Sequence, residues 1–516
     1  MRRTARLSGR FLLRRAVFRR FAPSGRLQKV RLRPDALRFG RRLQPESPNY
    51  SKIDGQRICG KALAMNRDLT VGSPRNVIWR FCLPLFFSTL FQQLYVVTDS
   101  LVAGRFIGEA ALAAVGNTYH ITLIYQALAF GCTMGCSVVV SRLFGTGKKN
   151  AVRSAVSTAF IACLALCAVL TAAGLLGGDA LLRLLQTPDD VIRDSGVYLN
   201  IYTIGLCFLF YYQVSLGIFI ALGDAKTPFW FLTVSSLVNI VLDFLFVGRL
   251  NMGVAGVAWA TFICQAAGAA AASALALRKR SLLKTAAQDE RRERVFSAEL
   301  LREMLKIAAP VALQQLIISV GNVLVQGNVN RFGSSVSAGY AAAVKMNNMA
   351  LTAMIALDRG MASYAAQNAG AKKPERIRSG LKAGLLLSAT IGCLIGAAYL
   401  IFRENIIMLF LKTNGGEALA TGTQFLLIVV PFYLVVSVKI VCDGLLRGLG
   451  AMRLLVTGTF VDLTLRVTVG FLLASFFGPV GIWAAWPVGW ITGTSLSAFF
   501  VSRLLRTNSP RLSAGG

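Results

Sequence analysis

The 516-residue sequence contains one histidine, His120, and none of its ten cysteines forms a CxxC pair. That scarcity argues against the His- and Cys-rich constellations that hold zinc or exchange disulfides. There is no Walker A loop, GxGxxG fingerprint, HExxH or GxSxG elbow. ATP-driven work and hydrolytic chemistry therefore lack a motif, and no nucleophile–base or metal spacing suggests an enzyme or a bound cofactor. Segments of roughly ten alternating residues are missing too, which excludes a transmembrane β-barrel. Acidic residues are few, 23 Asp and Glu against 56 Lys and Arg.

What the chain has in quantity is apolar length. Hydrophobic residues make up 55% and the mean hydropathy is +0.58, beyond the ordinary soluble range. Apolar runs recur from about residue 77 to 506, separated by short polar turns, as in a polytopic helical membrane protein. The cysteines fall mostly inside these runs. Cys132 with Cys136, and Cys163 with Cys167, share helix faces at i,i+4 and read as small packing residues.

The net charge of +33 invites a nucleic-acid reading, but its distribution argues otherwise. Residues 1–64 hold 18 Lys/Arg against 3 Asp/Glu, and most of the remaining excess lies in connections on one side of the spans. The 1–64 extension has three readings: a transit-type segment, a basic segment lying on anionic lipid, or an upstream stretch before a working start at Met65. The last is favoured, with little stable structure expected there.

Twelve spans are predicted, at 76–103, 110–144, 151–177, 190–222, 226–248, 253–278, 299–330, 337–369, 375–402, 417–449, 452–476 and 479–505. Connections after even-numbered spans carry about 21 Lys/Arg and those after odd-numbered spans about seven, which puts both termini in the cytoplasm. The charged loop 281–298 divides a first lobe, 65–280, from a second, 299–506, with a tail at 507–516. The lobes repeat. Leu222-Gly223 matches Leu449-Gly450, Gly147-Lys148-Lys149 matches Ala371-Lys372-Lys373, and Arg105-Phe106-Ile107-Gly108 matches Asn330-Arg331-Phe332-Gly333, all at offsets of 224 to 227. Two copies of six spans share one orientation, so their pseudo-two-fold axis follows the membrane normal and a cavity lies between them.

Polar residues inside the spans carry the chemistry. Asp99 sits in the apolar run from Pro84 to Gly104, where a carboxylate faces protein or a water-filled cavity, or reaches the headgroups from near the helix end. Pro84 permits a kink in that span and Gln92–Gln93 add amides. In the fifth span Asn239 and Asp243 lie four apart on one face, and Thr261 follows in the sixth. Converging, these groups could take a proton or bind Na⁺ through oxygen; alternatively, Asp243 only bonds a neighbouring helix. Tyr202, Tyr211 and Tyr212 in the fourth span offer aromatic faces to organic cations. His120 reads as a packed polar residue, and Trp483, Trp486 and Trp490 as packing or interface groups on one face of the last span.

The order Pro84, Gln92, Asp99, VAGRFIG, LGDAKTP at 222–228, Asn239/Asp243 and GVAGVAWAT, with AQNAGAKK at 366–373 and LLRGLG at 445–450, resembles the multidrug and toxic compound extrusion (MATE) family, bacterial multidrug branch, over roughly 66–506. The resemblance implies an all-α, V-shaped protein of twelve membrane helices in two pseudo-two-fold six-helix lobes. It implies a secondary active exporter of amphipathic, often cationic compounds by H⁺ or Na⁺ antiport, multi-pass in the inner membrane. The expected partners are small-molecule substrates and the bilayer, with no nucleic acid and a monomeric chain.

By the same resemblance Asp99, Asn239, Asp243, Thr261 and Gln92 form the cation and substrate region and Pro84 is the bend; Gln213, and Tyr202 through its aromatic face, are read as further substrate contacts. Relatives usually have Asn at the Gln213 position and Arg where this chain has Ile220. The Asp358-Arg359 pair replaces uncharged residues in the eighth span, as an ion pair with another helix or as a substrate contact. A second-lobe Na⁺ site lacks its helix-seven carboxylate, where only Gln314 and Gln315 stand. The alternative function is a lipid-linked oligosaccharide flippase, which would need a strongly basic cavity.

Overall fold

The computed structural model describes residues 68–106, 109–184, 189–282, 294–410 and 416–507; the readings of the 1–64 extension and of the C-terminal tail past Thr507 lie outside them. The described residues form helices and turns, with no strand among them. Each of the twelve predicted spans corresponds to a helical segment. In the first half these are α1 (Pro74–Phe106), α2 (Glu109–Gly145), α3 (Lys149–Leu184), α4 (Asp189–Ile204 and Leu206–Ala221), α5 (Lys226–Asp243, closing in a π-type turn, Phe244–Arg249) and α6 (Gly253–Leu282). The second half has α7 (Ala298–Asn330), α8 (Ser334–Gly370), α9 (Pro374–Ile401), α10 (Glu417–Val429 and Tyr433–Gly448 around a 3₁₀ turn), α11 (Met452–Phe477) and α12 (Pro479–Thr507).

Among the described residues nine helices are long and apolar enough to cross a membrane, ten with α4, which bends by 47° at Gly205. The bend was not expected from the apolar pattern. The second piece of α4 starts afresh after Gly205, whose near-helical backbone takes no side-chain cap. Large apolar side chains such as Leu176, Trp230, Val241, Leu394 and Phe476 stand exposed on the outer faces, as lipid-facing surfaces require.

The repeat extends to backbone conformation. After α4, Gly223 takes φ +74° and the Asp224 N–H bonds the Phe219 carbonyl at 2.9 Å. After α10, Gly450 takes φ +75° and the Ala451 N–H bonds the Leu446 carbonyl at 2.8 Å. This is one cap used twice, at a left-handed position that glycine adopts without the penalty a Cβ would bring.

The two halves meet through small residues. A Cβ on Gly131 of α2 would lie 2.6 Å from the Ala308 carbonyl of α7, and one on Gly135 would lie 2.6 Å from that of Met304. Packing this close between helix backbones is how membrane helices gain dispersion energy without a hydrophobic drive. In the second half, Trp483, Trp486 and Trp490 are buried against Tyr340, Phe425 and Tyr433, with Tyr340 and Trp483 stacked at 4.9 Å. They serve as core, not as an interfacial belt.

Hydrogen bonds crossing between the halves gather at the end that carries the basic connections. Gln367 of α8 accepts from the Leu69 N–H (3.0 Å) and donates to the Ala221 carbonyl (2.7 Å). Ser363 donates to the Ile220 carbonyl at 2.9 Å and pairs with Ser141 of α2. Arg376 donates to the Gly72 and Leu69 carbonyls, and Lys373 to that of Thr70. The lead-in to α1 is thus clasped by the turn between α8 and α9, closing this end.

Candidate functional site

Apolar periodicity carries α5 across the membrane, and its interruption by Asn239 and Asp243 puts both on the face turned inward. They are 2% and 1% exposed. Neither amide atom of Asn239 has a well-formed hydrogen bond to an oxygen or nitrogen of the described residues. The Cys264 thiol of α6 lies beside the pair. Directly after Asp243 the helix widens into its π-type turn, a distortion that recurs at functional sites. An amide oxygen and a carboxylate one helical turn apart, shielded from solvent, can accept a proton or offer hard oxygen ligands to Na⁺.

Asp99 lies on α1, and its side chain, like that of His120, is outside the described residues. Pro84 falls inside α1 as expected. Gln92 is exposed on the same helix, and Gln213 of α4 is half-buried, its carbonyl accepting from Thr133 at 3.2 Å. Thr261 and Tyr202 come together, lining a narrow crevice with Tyr198, Phe262 and Gln265. Tyr202 stacks between Tyr125 (6.4 Å) and Tyr198 (6.3 Å). The larger cavity, about 540 Å³, opens instead at the basic end among Asp68, Asn76, Arg80, Asp224 and Lys226, at the opposite end of α5 from Asp243.

The second half buries a charge network that spacing alone did not expose. Asp358 is ion-paired with Arg447 of α10. Arg447 also donates to Gln314 of α7 at 3.1 Å, and Gln314 donates to Thr459 of α11 at 2.7 Å. One turn away on α10, Lys439 pairs with Asp443 at 2.8 Å and lies 3.8 Å from Asp462 of α11, while Ser497 of α12 donates to Asp443 at 2.6 Å. Arg466 packs over the Trp486 ring at 4.3 Å and donates to Asn322. Where a cation site would need free carboxylates, this chain has Lys439 and Arg447 against them. Asp462, a lone acid in an apolar helix, was a visible signal that the sequence reading did not use.

The arrangement has relatives. The family model MatE matches residues 84–245 and again 310–472. "Probable multidrug resistance protein YoeA" of Bacillus subtilis is 26% identical over 439 residues, covering 83% of this chain and 92% of the relative. The "FAD transporter" of Shewanella oneidensis is 26% identical over 308 residues, 59% of this chain and 67% of the relative. The fold is that of a solved multidrug resistance MATE family transporter of the MOP superfamily in an outward-facing conformation, with a TM-score of 0.80 at 20% identity, over 86% of this chain and 98% of that one. With both halves matched by one family model, over more than half of its length, the chain belongs to the MatE family, the multidrug and toxic compound extrusion transporters.

Proposed function

We propose that the protein is a secondary active exporter of amphipathic small molecules, cations among them, driven by inward flow of H⁺ or Na⁺. The observation that carries the coupling reading is the Asn239 amide, buried one turn from Asp243 inside a membrane helix with only the weak Cys264 thiol as a polar neighbour among the described residues. A buried polar group of that kind costs stability and is expected where function needs it. In this scheme Asp99 and Thr261 join Asn239 and Asp243 as the cation-coupling group. Gln92, Gln213 and Tyr202 face the substrate, and Pro84 lets α1 bend. With the basic end read as cytoplasmic, the clasp of Gln367, Lys373 and Arg376 supports an outward-facing state, and the chain is read as a monomer in the inner membrane.

Uptake of the ion from outside weakens substrate binding, and its release inward resets the lobes. That requires ion and substrate to prefer different states, since equal affinity shifts nothing. The relatives named for multidrug resistance support a broad substrate range, and the one named an FAD transporter supports organic anions within it. The flippase alternative is weaker. Among the buried cations described in the second half, Lys439 and Arg447 are neutralised by carboxylates and Arg466 is covered by Trp486.

The test is efflux of a fluorescent cation, such as ethidium, with pH and Na⁺ gradients imposed separately. Asp99→Asn and Asp243→Asn are each expected to abolish gradient-driven efflux at normal membrane expression. Wild-type efflux from both would refute the coupling assignment.

A further inference from the structure

Arg359 makes no ion pair with a carboxylate of the described residues, and Asp358 beside it offsets its charge only in part. Its neighbour Asp358 is committed to Arg447, and Asp443 to Lys439 and Ser497. The Nε of Arg359 is buried and makes no hydrogen bond. The side chain turns out of its own half toward the other one. Its guanidinium carbon lies 4.9 Å from the centre of the Phe130 ring of α2, and Tyr212 of α4 lies within its field. The Tyr212 hydroxyl is likewise buried with no partner. Two unmatched donors from opposite halves therefore share the seam, on the membrane side of the Ser363 and Gln367 contacts that close the basic end.

A guanidinium inside a membrane is costly, and the face of one phenylalanine offsets only part of that cost. Its planar fork fits a carboxylate or phosphate bidentately, and a phenol adds a further donor. We propose that Arg359 and Tyr212, with Phe130 as a stacking face, form an anion-recognition point that receives the phosphate or carboxylate of an amphipathic aromatic substrate. The inference rests on the export reading and deepens it by assigning a point of contact for aromatic anions and zwitterions. Asp358, ion-paired with Arg447, makes no ion pair with Arg359 and so leaves its guanidinium fork free for a ligand.

The experiment measures binding by the full chain in phosphatidylcholine nanodiscs to riboflavin and to riboflavin 5′-phosphate, which differ only by the phosphate. Ethidium binding serves as a control, and ethidium efflux reports separately on the export reading. The wild-type protein is expected to prefer the phosphorylated flavin by about tenfold or more, the size of one good charged contact. Arg359→Met should erase that preference while leaving riboflavin and ethidium unchanged. Arg359→Lys should retain part of it, and Tyr212→Phe should weaken the phosphorylated flavin alone, so the question remains answerable if the Met variant misfolds.

No preference in the wild type, an unchanged preference in Arg359→Met, or an equal loss of both flavins would each overturn the proposal. Adding phosphatidylglycerol to the nanodiscs should leave the phosphorylated flavin's affinity unchanged. Competition by that lipid would reassign the point to a headgroup and overturn the substrate assignment.

Discussion

Gln367 of α8 accepts the Leu69 backbone N–H at 3.0 Å while its amide nitrogen reaches the Ala221 carbonyl at 2.7 Å, so one side chain of the second half holds two segments of the first. Gln367 is fully buried, and removing it leaves a donor and an acceptor unsatisfied, at a cost of about 1–3 kcal/mol. That cost falls on the state closed at the basic end, because an open end would hydrate both groups. Gln367→Ala is expected to shift the population toward the opposite opening by about 5- to 150-fold, since 1.4 kcal/mol is a factor of ten. Spin-label distances across the basic end would read the shift; an unchanged distribution would mean that the closure depends on other contacts.

Gly370 argues the same closure through steric fit. A Cβ there would lie 2.1 Å from the Arg142 carbonyl of α2, and one on Gly145 would lie 2.0 Å from the Gln367 carbonyl. Neither backbone can yield without parting the helices. Gly370→Ala should therefore fold but fail to close, losing most export at normal expression. Gly327→Ala, whose Cβ meets nothing within 4 Å, is the matched control and should transport normally. Equal efflux from the two variants would contradict this geometry.

The two glycine turns show why so much of the fold was legible. Leu222-Gly223 and Leu449-Gly450 looked like copies in sequence and prove to share one backbone cap, because a left-handed residue after a helix constrains residue type locally. Hydropathy fixed the spans for a similarly local reason. Asn239 and Asp243 were legible as a pair through i,i+4 spacing, and both are buried. The second-half network was not legible. Asp358 and Arg447 are 89 residues apart, and nothing local says which of several intramembrane charges will meet. Phe130 gave no signal at all, since an aromatic in a membrane helix is unremarkable until a guanidinium is found over it.

The Asp358–Arg447 pair makes a stability prediction that separates buried from exposed charge. Both side chains are under 10% exposed, so removing either one strands the other in a medium that solvates it poorly. Asp358→Asn and Arg447→Met should each destabilise by about 3–5 kcal/mol, and the double variant by less than the sum. Arg142–Glu303 is the contrast, with both side chains 45% exposed; Glu303→Gln should change stability by about 1 kcal/mol or less. Thermal unfolding in detergent measures all four. Additive losses at Asp358 and Arg447 would mean that the two carry separate interactions.

Asn239 should behave in the opposite way, which makes it the sharpest test of the coupling region. Its amide is 2% exposed and among the described residues has only the weak Cys264 thiol as a polar neighbour, so its burial costs stability with little structural return there. Leucine has nearly the same shape and no polar atoms to desolvate. Asn239→Leu is therefore expected to raise thermal stability by about 1–3 kcal/mol while abolishing gradient-driven efflux, the pattern of a group retained for function against stability. The fall in efflux should accompany loss of the H⁺ or Na⁺ dependence, whereas binding of ethidium to the resting protein should survive. A variant that loses stability instead would reveal a structural role for the amide, and one that gains stability with transport intact would remove Asn239 from the coupling region.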